Sequence, residues 1–320
     1  MEKIYGIKEL AKIPGYPVVT LGMFDGVHRG HQKIIETVRH HAATQEGKST
    51  VITFDKHPKT VIAGKPPSFI TSLEHRLVLF ERLGIDYAVV LHFDTELAQM
   101  SAEDFIRKVV VDSLGTKCMI IGFNCRFGKN REGNVTLLRK LGNKCGFEVY
   151  ECPPVFYKGQ AISSTVIRQA ILDGALEEAE EMLGRHVSIL GTVVKKNGRG
   201  KILGYPTANL NLHHEVRPPR GVYGTKVHRN GQDYLALTNI GLRPTFIKEF
   251  FTSDDEPLEI EVHILDFQEL IYGQDVEVQF LFKIRDERTF KTTEELKAQI
   301  EKDKEMLLKR TLTDTVIQRK

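Results

Sequence analysis

The chain has no tryptophan, four cysteines among 320 residues and a net charge of only +3. Each scarcity narrows the possible function. Cys118, Cys125, Cys145 and Cys152 include no Cys-x-x-Cys pair, so the short spacing of a structural zinc site is missing. Reduced, packed thiols are the better reading. The slight net charge argues against a dedicated nucleic-acid binder, which carries a concentrated basic face interleaved with aromatics. No segment approaches the roughly 20 apolar residues needed to cross a bilayer. The opening Met-Glu-Lys-Ile-Tyr-Gly-Ile-Lys lacks a secretory apolar core, so the expectation is a cytoplasmic protein with no membrane partner. What remains is an ordinary globular balance, 41% hydrophobic and 27% charged, at a length that suits two domains.

The two halves differ in period. Up to about Gly184, short apolar runs (Val18–Leu21, Val51–Phe54, Ala88–Leu91, Met119–Ile121) are each followed by a helical stretch. Thr71 with Glu74, and Ser101 with Asp104, read as capping boxes at helix starts. Strands alternating with helices predict a parallel sheet covered on both faces, with ligands at the carboxyl ends of its strands. Beyond Arg185, the runs Val187–Val194, Gly221–Val227, Tyr234–Leu237, Glu259–Leu265 and Val276–Phe282 have no helices between them. Asn230-Gly231 is a strong hairpin signal, since both turn positions need positive φ. This half predicts an antiparallel barrel or sandwich closed by a helix over roughly Thr293–Leu308, with Leu296, Ile300 and Leu307 on one side.

The most informative run is Gly22-Met-Phe-Asp-Gly-Val-His28-Arg-Gly-His31, between the strand ending at Leu21 and a helix with apolar positions Ile34, Ile35, Val38 and Ala42. A strand, a glycine-bearing turn and a helix start present backbone N–H groups to a phosphate. Two imidazoles at that start suit nucleotidyl transfer, where the attacking phosphate is already a nucleophile. The protein must then align it and stabilise charge on the transferred group and the leaving pyrophosphate. Gly30 is expected to let the backbone approach closely, and Asp25 and Gly26 to shape the turn. Ile162-Ser163-Ser164-Thr165-Val-Ile-Arg168 opens a second helix and forms another anion site, with Arg168 in its first turn. Taken alone, a Ser-Ser-Thr run is an ordinary N-cap and a histidine pair an ordinary surface feature. Together, in order on an alternating pattern, they point to a nucleotide site.

In the second half, Gly198, Gly200 and Gly204 fall within the run Lys196–Asn209 and make a loop able to wrap a polyphosphate. Lys201 is followed by Ile202, so this is not a Walker A loop. Thr207 and Asn209 share one face of an extended segment, and two such oxygen ligands suit Mg²⁺. The bland alternative is a glycine-rich turn feeding an ordinary strand. Glu259, Glu261 and His263 likewise share a face, and their pattern alone does not choose between the carboxylates.

These motifs carry a resemblance. Residues 1 to about 184 resemble the FMN adenylyltransferase module of prokaryotic bifunctional FAD synthetases, within the wider class of His-x-Gly-His nucleotidyltransferases. The matching pieces are Gly22–His31, Thr53–Pro58, Gly122–Gly128, Ile162–Arg168 and Leu183-Gly184-Arg185. The resemblance implies that His28 and His31 handle the ATP phosphates with Arg168 assisting. It also implies ATP contacts from Gly22, Phe24, Asp25, Gly30, Ser163, Ser164 and Thr165, and a flavin site lined by Asn124, Phe54 and His57. Asn124-Cys125 stands where Asp-Phe is frequent in the family, and Met23 replaces a more usual polar or aromatic residue.

The remainder resembles riboflavin kinase, on Gly204-Tyr-Pro-Thr-Ala-Asn209, Gly221-Val-Tyr223, Asn239–Phe246, Glu261–Phe267, Leu270–Gly273 and Arg285-Asp-Glu287. The implied fold is a six-stranded antiparallel Greek-key barrel with a terminal helix, behind a doubly wound, Rossmann-like α/β domain. The implied boundaries are 1–184 and 185–320. By the same resemblance Thr207 and Asn209 hold Mg²⁺ with ATP, and Gly198, Gly200, Lys201, Gly204, Tyr205 and Pro206 bind ATP. Asn239, Arg243 and Phe246 contact flavin, and Glu261 is the general base on the ribityl 5′-hydroxyl. A carboxylate there is chemically apt, since an attacking alcohol must lose its proton.

The expected function is a two-headed enzyme. Its second half makes FMN from riboflavin and ATP, and its first half makes FAD from FMN and ATP, releasing pyrophosphate. FMN and FAD are then substrate and product, not redox cofactors. The expected partners are ATP, riboflavin and FMN, with no nucleic acid, and the chain is expected to be a monomer or weak homo-oligomer. The alternatives are a relative with one inactive head and a non-catalytic flavin-sensing regulator. A class I aminoacyl-tRNA synthetase also uses His-x-Gly-His, but its lysine-rich second signature is absent.

Overall fold

The computed structural model describes residues 1–58, 68–195, 205–212, 215–242 and 258–317. The chain forms two compact units, Met1–Ile167 with Met182–Gly184, and Arg168–Glu181 with Arg185–Lys320.

The first unit is built on β1 (Glu2–Tyr5), β2 (Pro17–Leu21), α1 (Arg29–Thr44), β3 (Lys48–Phe54), α2 (Leu73–Arg82), β4 (Tyr87–Leu91) and α3 (Thr95–Gln99). It continues through α4 (Ala102–Phe105), a π-helical stretch over Ile106–Ser113, β5 (Cys118–Gly122), α5 (Val135–Cys145), β6 (Glu148–Cys152) and a small hairpin, β7 (Phe156–Tyr157) with β8 (Gln160–Ala161). The helices α6 (Ser164–Leu172) and α7 (Leu176–Leu183) follow. The sheet order is β1-β4-β3-β2-β5-β6, parallel throughout. The chain runs outward from β2 through β3 to β4, then resumes with β5 on the other side. The segment after β2 therefore lies at a topological switch point, where such sheets bind ligands.

Period-two alternation explains why both faces are covered. Val19, Leu21, Ile52, Val89 and Leu91 join one core, while Val51, Ala88 and Val90 join another with Ile35 and Phe80. The helix after β2 buries Ile35, Val38 and Ala42 as its spacing predicts. Ser101 caps α4 and donates its hydroxyl to the Asp104 carboxylate at 2.8 Å, as expected. The other capping expectation is corrected. Ser72, not Thr71, caps α2 by accepting from His75 N, and the Thr71 hydroxyl instead accepts from Gly26 N at 2.8 Å. The β1 strand carried no apolar run and was invisible to that criterion.

In the second unit β9 (Val187–Val194), β10 (Ala208–Leu212), β11 (Gly221–Arg229), β12 (Gln232–Leu242), β13 (Leu258–Ile264) and β14 (Asp275–Arg285) close into a barrel, order β10-β13-β12-β11-β14-β9. All its pairings are antiparallel. Asn230 (φ 49°) and Gly231 (φ 78°) form the β11–β12 turn, both in the left-handed region that the dipeptide predicts. Ile260, Val262 and Ile264 are buried in the barrel, and Glu259, Glu261 and His263 alternate with them.

Helix α8 (Thr293–Ile317) packs Leu307 against Leu237 and Leu265, with Ile300 alongside. An ion pair ties it to β14: the Arg285 guanidinium meets the buried Asp303 carboxylate at 2.8 Å. Among the described residues, no helix is long and apolar enough to cross a membrane.

Candidate functional site

In the first unit, the turn after β2 is held from several sides. Its backbone takes left-handed φ at Phe24 (51°), Gly26 (81°) and Val27 (38°), a costly conformation for a ring-bearing and a β-branched residue. The strain is matched by buried bonds. Asp25 Oδ1 accepts from Ile70 N at 2.8 Å and Thr71 N at 3.1 Å. The Ser164 hydroxyl donates to Asp25 O at 2.8 Å, joining the second anion motif to the first. Gln32 Nε2 donates to Val27 O at 2.8 Å and to Leu183 O at 2.7 Å.

His28 is the N-cap of α1, its Nδ1 accepting from His31 N at 3.4 Å. The two imidazoles stack with centroids 3.6 Å apart and planes 19° from parallel, and the Phe24 ring meets His31 edge-on at 5.2 Å. Burial, His28 and the Arg76 charge hold His31 well below the ordinary histidine pKa, so its ring is neutral at pH 7. Among the described residues its buried Nδ1 has no hydrogen-bond partner. Gly30 has a steric role beside His28 that its spacing did not reveal. A Cβ there would meet His28 Cε1 at 3.1 Å and Nδ1 at 3.2 Å, so its bareness makes room for the His28 ring.

Ser163 Oγ accepts from Val166 N at 3.5 Å at the start of α6, and Thr165 lies in its first turn. Arg168 lies one turn along that helix, in the part that clusters with the second unit. Phe54 ends β3, and Asn124 follows β5 with its Oδ1 near Gly122. Gly22, directly after β2, would press a Cβ on the Phe24 ring at 3.2 Å. The sheet thus brings Gly22, Phe54 and Asn124 to the carboxyl ends of three adjacent strands. His57 lies just beyond β3, its ring 6.0 Å from Phe69.

Sequence reasoning passed over Gln32 and Arg76, and read Thr71 only as a helix cap. The fully buried Arg76 donates to Met23 O at 2.6 Å, Thr53 Oγ1 at 2.8 Å and Phe54 O at 3.0 Å.

In the second unit the register makes the site. Glu261 on β13 faces Asn209 on β10 and Asn239 on β12, three polar side chains in a row across adjacent strands. Directly opposed side chains have Cβ atoms about 5 Å apart. Glu259 pairs instead with Gly241, so the two carboxylates that the pattern left equivalent are distinguished. At Gly241 the Glu287 carboxylate lies where a Cβ would sit.

Asn209 is 8% exposed and its buried Oδ1 has no partner among the described residues. An unpartnered buried amide oxygen, with Thr207 two residues earlier, is a hard donor set that fits Mg²⁺. The approach to Thr207 is anchored: His263 Nδ1 lies 2.9 Å from Pro206 O, and the Tyr205 hydroxyl donates to Glu301 at 2.7 Å. Gly198, Gly200, Lys201, Gly204, Arg243 and Phe246 lie outside the described residues.

Comparison with known proteins identifies the family of each half. A family model described as FAD synthetase matches residues 11–166, and one described as riboflavin kinase matches residues 183–311. The chain is 36% identical over 307 residues to the bifunctional riboflavin kinase/FMN adenylyltransferase of Haemophilus influenzae, covering 95% of this chain and 97% of that one. The enzyme of the same name from Listeria monocytogenes is 37% identical over 291 residues, 90% of each chain. A crystal structure from Streptococcus pneumoniae, described as a macrolide-efflux protein, is similar with a TM-score of 0.79 at 33% identity, covering 96% of this chain and 99% of that one. With both models matching in succession, and two-headed relatives matching along nearly its whole length, the chain belongs to the bifunctional riboflavin kinase/FMN adenylyltransferase family, phosphorylating riboflavin to FMN and adenylylating FMN to FAD.

Proposed function

We propose that the two constellations divide the two reactions between them. The observation that carries this reading is their separation: the stacked His28–His31 pair lies in one compact unit and the Asn209–Glu261–Asn239 row in the other.

For adenylylation, a phosphate oxygen of FMN bonds to the α-phosphorus of ATP and the bridging oxygen leaves with pyrophosphate. No base is needed, only alignment and charge stabilisation. His28 Nδ1 accepts from His31 N at the helix start, which sets the imidazole at the end of α1 where the phosphates bind. An unpartnered, buried Nδ1 in a neutral His31 favours the tautomer with its proton on Nε2, a donor to phosphate oxygen. The Ser164 hydroxyl proton is committed to Asp25 O, so that residue offers its backbone N–H. Arg168 adds a guanidinium for the leaving phosphates. Gly22, Phe24, Asp25, Gly30, Ser163 and Thr165 shape this ATP site, and Phe54, His57 and Asn124 the flavin side.

For phosphorylation, Glu261 takes the proton of the ribityl 5′-hydroxyl as its oxygen bonds to the γ-phosphorus and ADP leaves. Thr207 and Asn209 hold Mg²⁺, which neutralises charge on the ATP phosphates when bound. Asn239 orients the flavin beside Glu261. Tyr205 and Pro206 border the nucleotide, and outside the described residues Gly198, Gly200, Lys201 and Gly204 complete that role, with Arg243 and Phe246 on the flavin. The same reading divides the domains at 184/185. It has the enzyme act in the cytoplasm on ATP, riboflavin and FMN, as a monomer or weak homo-oligomer without nucleic acid.

Chromatography of products from riboflavin and Mg-ATP tests the assignment. His31→Ala abolishes FAD and spares FMN formation. Glu261→Gln abolishes FMN formation from riboflavin and spares FAD formation from supplied FMN. Loss of both activities in each folded variant defeats the division.

A further inference from the structure

Arg76 lies on α2, outside every motif, yet it is fully buried. Its hydrogen bonds go to neutral oxygens. Nη1 donates to Met23 O at 2.6 Å and Thr53 Oγ1 at 2.8 Å, Nη2 to Phe54 O at 3.0 Å, and Nε reaches back to Ser72 O at 3.4 Å. The Phe69 ring covers the guanidinium at 5.6 Å. Burying a cation without a directly bonded carboxylate is costly, and a stability role alone is served as well by an apolar side chain. Burial lowers its pKa only to about 10, with Asp25, Glu74 and Asp55 acting in the opposite direction, so the charge is permanent at neutral pH.

The acceptors explain why the charge is there. Met23 O is the carbonyl immediately before the strained Phe24–Val27 turn, and Phe54 O ends β3. Thr53 lies between them, its hydroxyl donating to Met23 O at 3.3 Å while accepting from Arg76. One planar fork therefore fixes the carboxyl ends of β2 and β3 against each other. A lysine ammonium, a point on a flexible stem, does not span those oxygens in the same way.

We propose that Arg76 is a positioning residue for adenylyl transfer: its fork sets the turn that presents His28 and His31, and its charge lies as a fixed cation beneath the polyphosphate site. The inference rests on the reading of His28 and His31 given above. The charged or titratable groups acting on His31 are His28, stacked on it from the start of α1, and Arg76 from α2.

The test uses the full chain, whose kinase head serves as an internal control for folding and concentration. Arg76→Lys keeps the cation and loses the fork; Arg76→Met loses both. The expected kcat for FAD from FMN falls about tenfold in R76K and about a hundredfold in R76M, with KM for ATP within about threefold of the parent. Riboflavin phosphorylation is unchanged in both. In ¹³C-histidine NMR, His31 takes its proton at higher pH in R76M, toward the ordinary histidine value, and at the parental pH in R76K. A merely structural role does not produce that contrast.

The proposal is overturned if R76M makes FAD within threefold of the parent, if both heads fall in parallel, or if activity falls with His31 titration unmoved. Should R76M fail to fold, R76K carries the test, and parental kcat in R76K overturns the fork. Full FAD synthesis by His31→Ala defeats the underlying site reading instead, whatever the Arg76 variants do.

Discussion

Substituting Gly30 by alanine separates stability from catalysis at a single methyl group. Gly30 lies in the first turn of α1 with ordinary helical space on most sides, and alanine is the better helix former by about 0.5 to 1 kcal/mol. The added Cβ, however, sits 3.1 Å from His28 Cε1 and 3.2 Å from Nδ1. The ring must give by a few tenths of an ångström, while it is also stacked on His31 at 3.6 Å. Relieving that contact costs about as much as the helix gains, so the adenylyltransferase unit melts within about 2 °C of the parent. Catalysis has no such compensation. If a 1 Å misplacement costs about a hundredfold, a shift near 0.3 Å costs about fourfold in kcat for FAD formation. The assay is steady-state FAD production from FMN and ATP, beside differential scanning calorimetry and the kinase rate of the same preparation. Parental adenylylation by G30A refutes the reasoning, as does a parallel fall in kinase activity.

Asp303→Ala strands the Arg285 guanidinium, which bonds that carboxylate through Nε at 3.0 Å and Nη2 at 2.8 Å. A loss of about 3 kcal/mol is expected, lowering the kinase unit's Tm by about 6 to 12 °C in calorimetry and leaving the other unit's transition in place. Burial raises the thiol pKa of Cys118 to about 12 and of Cys125 to about 11, so both stay protonated at pH 8. Iodoacetamide labelling of the native protein followed by mass spectrometry should leave both largely unmodified, with labelling appearing on denaturation.

The legible parts of this chain were those whose signal is local. Val18–Leu21, Val51–Phe54 and Ala88–Leu91 announce buried parallel strands because both their faces are covered, and Asn230-Gly231 announces its turn through two positive φ values. Thr71 misled because Glu74 completes a capping pattern three residues on. The observed cap is one residue later because the Thr71 hydroxyl is taken by Gly26 N, 45 positions away. Arg76 gave no signal at all. On an amphipathic helix it reads as a solvated cation, and only its partners at Met23 and Phe54 require its burial. In the barrel the face shared by Glu259, Glu261 and His263 could be read from period two. The choice among them depends on pairing between strands far apart in sequence, which no spacing within β13 encodes.

The barrel's closure has a kinetic consequence. Asn209 meets Glu261 only through the β10–β13 pairing, a contact between residues some fifty positions apart, while β13 is also zipped to β12. To slip by one residue, β13 must break two ladders at once, so the Asn209–Glu261–Asn239 row is locked from both flanks. Long-range pairings of this kind close late during folding. Regained phosphotransfer after dilution from urea is therefore expected to report a late step of assembly, lagging behind any spectroscopic signal from the hairpin of β11 and β12.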